Sequence, residues 1–165
     1  KYNNPIVADL GLSEFVADGV SGLAGTPYYL APEVLVKGTK YGLPVDVYSL
    51  GVTFYAFLVG ARPNHFVEFQ LPQGAAPGKS VVYFHLLKTS KYLGLIQAMC
   101  AQDPASRPKM EEVVKDLADI AANKPSKFPA QPVVQPPPGA LKRSRNLEGK
   151  ESRLNAFVGD SIFII

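Results

Sequence analysis

A mainly α-helical fold is predicted by three features of this 165-residue sequence. The run Leu43–Gly60, LPVDVYSLGVTFYAFLVG, is apolar on nearly every side of a helix. Two later stretches, Tyr92–Cys100 and Pro108–Ala122, repeat apolar residues at helical spacing. Against these, one short apolar run, Ile6-Val7-Ala8, has the character of a strand.

Composition narrows the class further. Hydrophobic residues make up 47%, enough for a real core, and the net charge of +3 selects no particular partner. The basic residues form no long stripe, so nucleic acid is not the predicted ligand. The Leu43–Gly60 run falls short of the ~20 apolar residues a membrane span needs, which makes it the buried central helix of a soluble domain. Pro44 and Asp46 suit its first turn and Gly60 its end. A single cysteine, Cys100, excludes an internal disulfide framework and fits an intracellular location, cytoplasmic or nuclear. No signal pattern opens the chain and Lys1 is not an initiator methionine, so it is expected to be a piece of a longer polypeptide.

In chain order, the first informative stretch is Asn4–Glu14, where Asp9-Leu10-Gly11 follows directly on the strand. A carboxylate at a strand end, before a glycine that lets the backbone turn, presents an oxygen to a divalent cation. The same letters also make an ordinary turn, so they decide nothing alone. From Gly11 to Ala31 the chain is polar and glycine-rich without helical or strand period, predicting a loop of about twenty residues, a length uncommon unless functional. Within it Gly19-Val20-Ser21-Gly22-Leu23 approaches the nucleophile-elbow pattern, but Leu23 replaces the last glycine and excludes it.

Four short motifs fall in order: DLG at Asp9–Gly11, APE at Ala31–Glu33, DVYSLGV at Asp46–Val52 and DPASRP at Asp103–Pro108. With GTPYYL ahead of the second, the series resembles the C-terminal lobe of a eukaryotic-type serine/threonine protein kinase, from its D-F-G motif to its last helix. Leucine stands at position 10 for the motif's phenylalanine. The resemblance runs from about Asn4 to Ile120. It implies a partial kinase domain over residues 1–123, the helical lobe without the N-lobe and catalytic loop, followed by a disordered proline-rich tail over 124–165.

The resemblance also assigns roles. Asp9 is implied as the ligand of the magnesium that bridges the ATP phosphates. Leu10 is expected to fill an apolar slot with less contact area than phenylalanine. Glu33 and Arg107 match the family's buried ion pair, in which losing one partner costs ~3–5 kcal/mol. Asp46 matches the F-helix aspartate that accepts amide hydrogen bonds from the catalytic loop. Gly25, Thr26 and Tyr28 belong to the activation segment and the pocket for the residue after the phosphoacceptor, and Thr26 in this place marks the serine/threonine branch. Ser21 is the candidate activation-loop phosphosite, where a phosphate pairs with arginines, and equally a solvated loop serine.

Implied with these are ATP and Mg2+ as cofactors, a protein substrate, and the N-lobe of the same polypeptide as partner. The sequence contains no glycine-rich phosphate loop, no anchoring lysine and glutamate, and no H-R-D-x-x-x-x-N catalytic loop. His65, before Phe66-Val67, and His85, before Leu86-Leu87, open none. In the family all these parts precede D-F-G, so the isolated chain is expected to be inactive and poorly soluble, and its parent an active kinase. The alternatives are a pseudokinase or scaffold acting by protein binding, and an interaction module whose tail is the working part.

Between Ala61 and Ser90, Pro63, Pro72 and Pro77 predict a long irregular connection, a candidate docking surface and more simply a variable loop, before a short helix at Val81–Lys88. Cys100 falls on the core face of Tyr92–Cys100, as a structural thiol. The helix opened by Pro108 has Met110, Val113, Val114, Leu117, Ile120 and Ala121 as its expected buried stripe, and Glu111 and Glu112 suit its first turn. Lys124–Gly139 carries six prolines and is expected to be an extended linker that does not pack. Its PPPG and QPVVQPPP offer a polyproline surface to an SH3 or WW domain, or serve as a spacer. Lys142-Arg143-Ser144-Arg145 is a short basic cluster, and the apolar end Ser161–Ile165 is far too short to span a bilayer.

Overall fold

Helix α1, Pro44–Val59, is the element on which the others pack. The computed structural model describes residues 7–15, 19–22, 25–26, 29–36, 38–60, 84–133 and 163–164. Pro44 sits in the first turn, where a missing amide costs nothing. Gly60 ends the helix at φ 73, its amide bonding to the carbonyls of Ala56 and Phe57. Apolar residues lie on several sides of α1, and the structure supplies two clusters to cover them. Tyr48, Val52, Tyr55, Ala56 and Val59 join Ala31, Val34, Leu87, Leu93 and Ile96 in one. Val47 joins Leu95, Met99, Val113 and Ile120 in the other. Each large side chain taken fully out of water contributes about 1.5–3 kcal/mol.

Helix α2, Leu93–Met99, crosses α1 where Gly51 leaves room. A Cβ at Gly51 would lie 2.8 Å from Cβ of Met99 and 2.9 Å from Sγ of Cys100. Cys100 is buried, and desolvation pushes its thiol pKa up to about 12. Ahead of α2, the predicted Val81–Lys88 helix is reduced among the described residues to a 3-10 turn at His85–Leu87, with 81–83 outside them. Phe84 meets Tyr55 edge-to-face at 5.9 Å.

Helix α3, Met110–Ala121, begins two residues after Pro108, with Glu112 accepting the amide of Lys109 at 3.0 Å. Its buried face differs from the expected stripe. Val113, Asp116 and Ile120 are buried and Leu117 half-buried, while Val114 is 61% exposed and Met110 and Ala121 also face water. The face is rotated toward Asp116 because the chain beyond the helix returns over that side.

Packing therefore does not stop at Asn123, and the expectation that the chain from Lys124 on does not pack is corrected for residues 124–133. Asn123 turns the backbone at φ 58, and Lys91 closes the helix end by donating to the Ile120 carbonyl at 3.0 Å and to Asn123 Oδ1 at 3.2 Å. The following strap is fastened at three places. Ser126 Oγ and the Lys127 amide each donate to the Asp116 carboxylate at 2.6 Å. Phe128 packs on the second cluster. The Gln131 amide donates to Gln97 Oε1 at 2.8 Å, and Gln97 Nε2 donates back to the Gln131 carbonyl at 3.2 Å. Prolines at 125 and 129 suit such a segment, since an extended strap needs few amides of its own. The PPPG segment and the basic cluster at 142–145 lie outside the described residues.

Strand β1, Val7–Ala8, pairs in parallel with β2, Phe163–Ile164, so the apolar chain end returns to the start of the lobe. No helix among the described residues is long and apolar enough to cross a membrane.

Candidate functional site

Arg107 joins parts of the chain that are far apart in sequence. Its Nη1 and Nη2 donate to the two carboxylate oxygens of Glu33 at 2.6 and 2.7 Å. Nε donates to the Ala101 carbonyl at 2.9 Å, Nη1 to that of Pro44 at 2.9 Å and Nη2 to that of Gln102 at 3.3 Å. The guanidinium lies 4.9 Å from the centre of the Tyr48 ring. Its side chain is fully buried and that of Glu33 is 13% exposed. A desolvated guanidinium is tolerable only when its donors are used, and here every N–H group has an acceptor. The 3-10 turn Pro32–Leu35, the first turn of α1 and the loop before α3 are thereby held as one piece.

The segment leading to that turn is anchored to α1 and to the residues before it. Val20 and Tyr41 exchange backbone hydrogen bonds at 3.0 and 2.9 Å, and Tyr41 Oη donates to the Gly22 carbonyl at 2.8 Å. Ser49 Oγ donates to the Tyr29 carbonyl at 2.8 Å. Ser49 and Tyr41 were not among the predicted site residues. The signal for Ser49 was a small hydroxyl in a largely apolar helix.

Tyr29 and Leu30 pack half-buried on the core, whereas Gly25 and Thr26 are exposed. Gly25 has φ 119, and a Cβ there would stand 2.7 Å from Leu30 Cδ2, so the turn needs glycine. Ser21 is exposed between the tied residues Val20 and Gly22. Tyr28 lies outside the described residues.

Asp9 follows β1 at φ 61, exposed, with Oδ1 accepting the Gly11 amide at 3.2 Å. That is its one hydrogen bond among the described residues, and none joins it to Thr26 or Glu33. Leu10 is 71% exposed, which corrects the expectation that it fills an apolar slot: no described element packs over it, and its neighbours Leu12 and Phe15 also face water. Among the described residues no group of three or more metal-type ligands occurs. The chemistry at Asp9 nevertheless suits magnesium as one donor of a set, because this cation binds through one or two carboxylates, with phosphate and water oxygens completing the shell.

Asp46 is exposed at the start of α1, and no capping bond from its carboxylate occurs among the described residues; the N-cap is Leu43, in helical conformation with no side-chain bond. The protein that does surround Asp46 desolvates its carboxyl and raises its pKa above the ordinary value.

Residues 2–117 match the family model of the protein kinase domain. The chain is 32% identical over 138 residues to the probable serine/threonine-protein kinase CCRP1 of Zea mays, covering 79% of this chain and 22% of that protein. It is 32% identical over 143 residues to calcium-dependent protein kinase 13 of Arabidopsis thaliana, covering 82% and 26%. Over 158 residues it is 30% identical to cyclic GMP-binding protein C of Dictyostelium discoideum, covering 90% and 6%. A helical lobe tied together through its A-P-E glutamate and D-P-x-x-R-P arginine thus carries the family's sequence as well, and the chain belongs to the eukaryotic-type protein kinases. It spans about a quarter or less of the length of these relatives.

Proposed function

We propose that this chain is the C-terminal-lobe part of a serine/threonine protein kinase that transfers the γ-phosphate of ATP to protein hydroxyls. The observation that supports this reading is the two-pronged Glu33–Arg107 pair, at 2.6 and 2.7 Å, because it ties the turn Pro32–Leu35, which follows the substrate-pocket residues in the chain, to the helical lobe. Asp9 provides a carboxylate oxygen for magnesium. Bound with ATP, the metal offsets charge developing on the phosphoryl oxygens. Gly25, Thr26 and Tyr28 contribute to the pocket beside the phosphoacceptor, and Ser21 is exposed for phosphorylation. Asp46 awaits amides of a catalytic loop that this sequence does not contain, and the general base and ATP-anchoring lysine must come from an N-lobe and catalytic loop of the same polypeptide. The isolated chain is therefore inactive. The kinase works inside the cell, in cytoplasm or nucleus, and the polyproline stretch of its tail suits an SH3 or WW partner.

The test is Mg·ATP titration and phosphotransfer by the complete protein, offered serine, threonine and tyrosine peptides, beside its Asp9→Asn variant. Transfer to serine or threonine, abolished in the variant, is the expected result. Nucleotide binding without transfer would replace the enzyme by a pseudokinase, and neither binding nor transfer would leave a scaffold.

A further inference from the structure

The strap over α3 hangs on one hydroxyl. Ser126 Oγ donates its hydrogen to Asp116 Oδ2 at 2.6 Å and accepts the Phe128 amide at 3.0 Å, so both roles of the hydroxyl are in use. The acceptor, Asp116, is buried at 3% exposure, one of two buried charged residues among the described residues, while Ser126 itself is half-buried at the surface. The other Asp116 oxygen takes the Lys127 amide at 2.6 Å. This carboxylate is thus tolerated under the strap because the strap satisfies it.

We propose that Ser126 is a phosphorylation site and that its phosphate releases the strap 124–133 from α2 and α3. The donor is ATP, used by a protein kinase acting on the transiently open strap. The Oγ–Pγ bond forms as the bond from Pγ to the ADP oxygen breaks, and the hydroxyl proton leaves to water through that kinase's base. Two consequences follow at once. Oγ has no hydrogen left for Asp116, and a group of charge about −1.5 to −2 stands where a buried carboxylate lies at hydrogen-bond distance. Like charges so placed cannot both remain ionised without separating.

Two of the neighbouring cations already have a carboxylate, and Lys115, which lines the same hollow as Asp116, sits on α3 itself and does not hold the strap. Lys127 Nζ pairs with Glu112, and Lys124 Nζ with Asp119 at 3.0 Å. Segments of this kind open locally without global unfolding, so a modification of the open form holds it open. What opens is defined: the backbone face of Gly94, the bed of Phe128 and the Gln97 amide. The inference does not depend on whether the parent protein catalyses phosphotransfer.

The test is hydrogen exchange by mass spectrometry on the complete protein carrying phosphoserine at 126, introduced genetically, against the unmodified protein and against the phosphorylated Asp116→Asn variant. The Lys127, Phe128 and Gln131 amides are expected to exchange about tenfold or more faster with phosphate, the loss of one charged hydrogen bond, with α1 amides unchanged. Asp116→Asn is expected to restore much of the protection by removing the opposing charge. Unchanged protection of the strap would overturn the proposal. Acceleration extending equally through α1 would also overturn it, because the strap would then not be a separable element. Phosphopeptide mapping of the protein from its own cells supplies the other arm: a phosphate at Ser126 supports the site, and an unmodified peptide recovered throughout removes it.

Discussion

Gly94 in α2 and Phe128 in the strap meet through backbone alone: a Cβ on Gly94 would stand 2.0 Å from the Phe128 carbonyl oxygen and 2.9 Å from the Ala130 nitrogen. Gly94→Ala therefore sets two effects against each other. Alanine gains about 1 kcal/mol in helix propensity, and the clash with backbone costs about 1–3 kcal/mol unless the strap moves away. The expected outcome is lower stability in chemical denaturation together with faster exchange of strap amides. A variant more stable than the parent, with the strap still protected, would show that the close approach is not real.

Arg107 is expected to resist its most conservative replacement. Arg107→Lys keeps the charge but loses the planar fork that reaches Glu33, Ala101, Pro44 and Gln102 together. Arg107→Ala strands the Glu33 carboxylate, a loss of about 3–5 kcal/mol. Denaturation midpoints should fall in the order parent, lysine, alanine. Equal midpoints for parent and lysine would mean that charge alone, rather than geometry, holds the segment.

Cys100 makes stability depend on alkaline pH. Burial raises its thiol pKa to about 12, with the lesser pull of Arg107 acting the other way. An unfolded thiol ionises at about 8.5. Above that pH the unfolded chain binds fewer protons at this site than the native one, so this contribution to stability falls as pH rises from about 8.5 toward about 12. Cys100→Ala should lower overall stability yet show a shallower decline between pH 8 and 10. At pH 8 a thiol reagent should label the parent only on unfolding, and rapid labelling of the native protein would contradict its burial.

Asp9→Asn separates function from fold. The side chain is exposed and holds one local hydrogen bond, to Gly11, so the substitution should change stability by no more than about 0.5 kcal/mol. A large fall in melting temperature, alongside any loss of Mg·ATP binding, would show that Asp9 supports structure and would weaken its reading as a metal ligand.

The central helix was legible because its apolar residues leave no broad polar face, and its ends because Pro44 and Gly60 act through their own backbone chemistry. The family was legible from the order of DLG, APE, DVYSLGV and DPASRP, since short motifs that are weak singly become specific when their sequence order is also required. The buried face of α3 was less so. Apolar spacing placed Met110, Val114 and Ala121 inside, and the structure puts Asp116 there instead. A helix-face argument weighs only the helix, whereas the choice of face was made by the strap that follows it.

By itself, then, the sequence determined where the three main helices lie, where the central helix begins and ends, and which family the chain belongs to, because local conformational preference and motif order are properties of the chain alone. Tertiary structure decided that Arg107 has five acceptors, that Leu10 faces water, and that a proline-rich segment packs through Ser126, Phe128 and Gln131. Each of those depends on what arrives from elsewhere in the chain to satisfy a buried charge, cover an apolar side chain or accept a hydrogen bond.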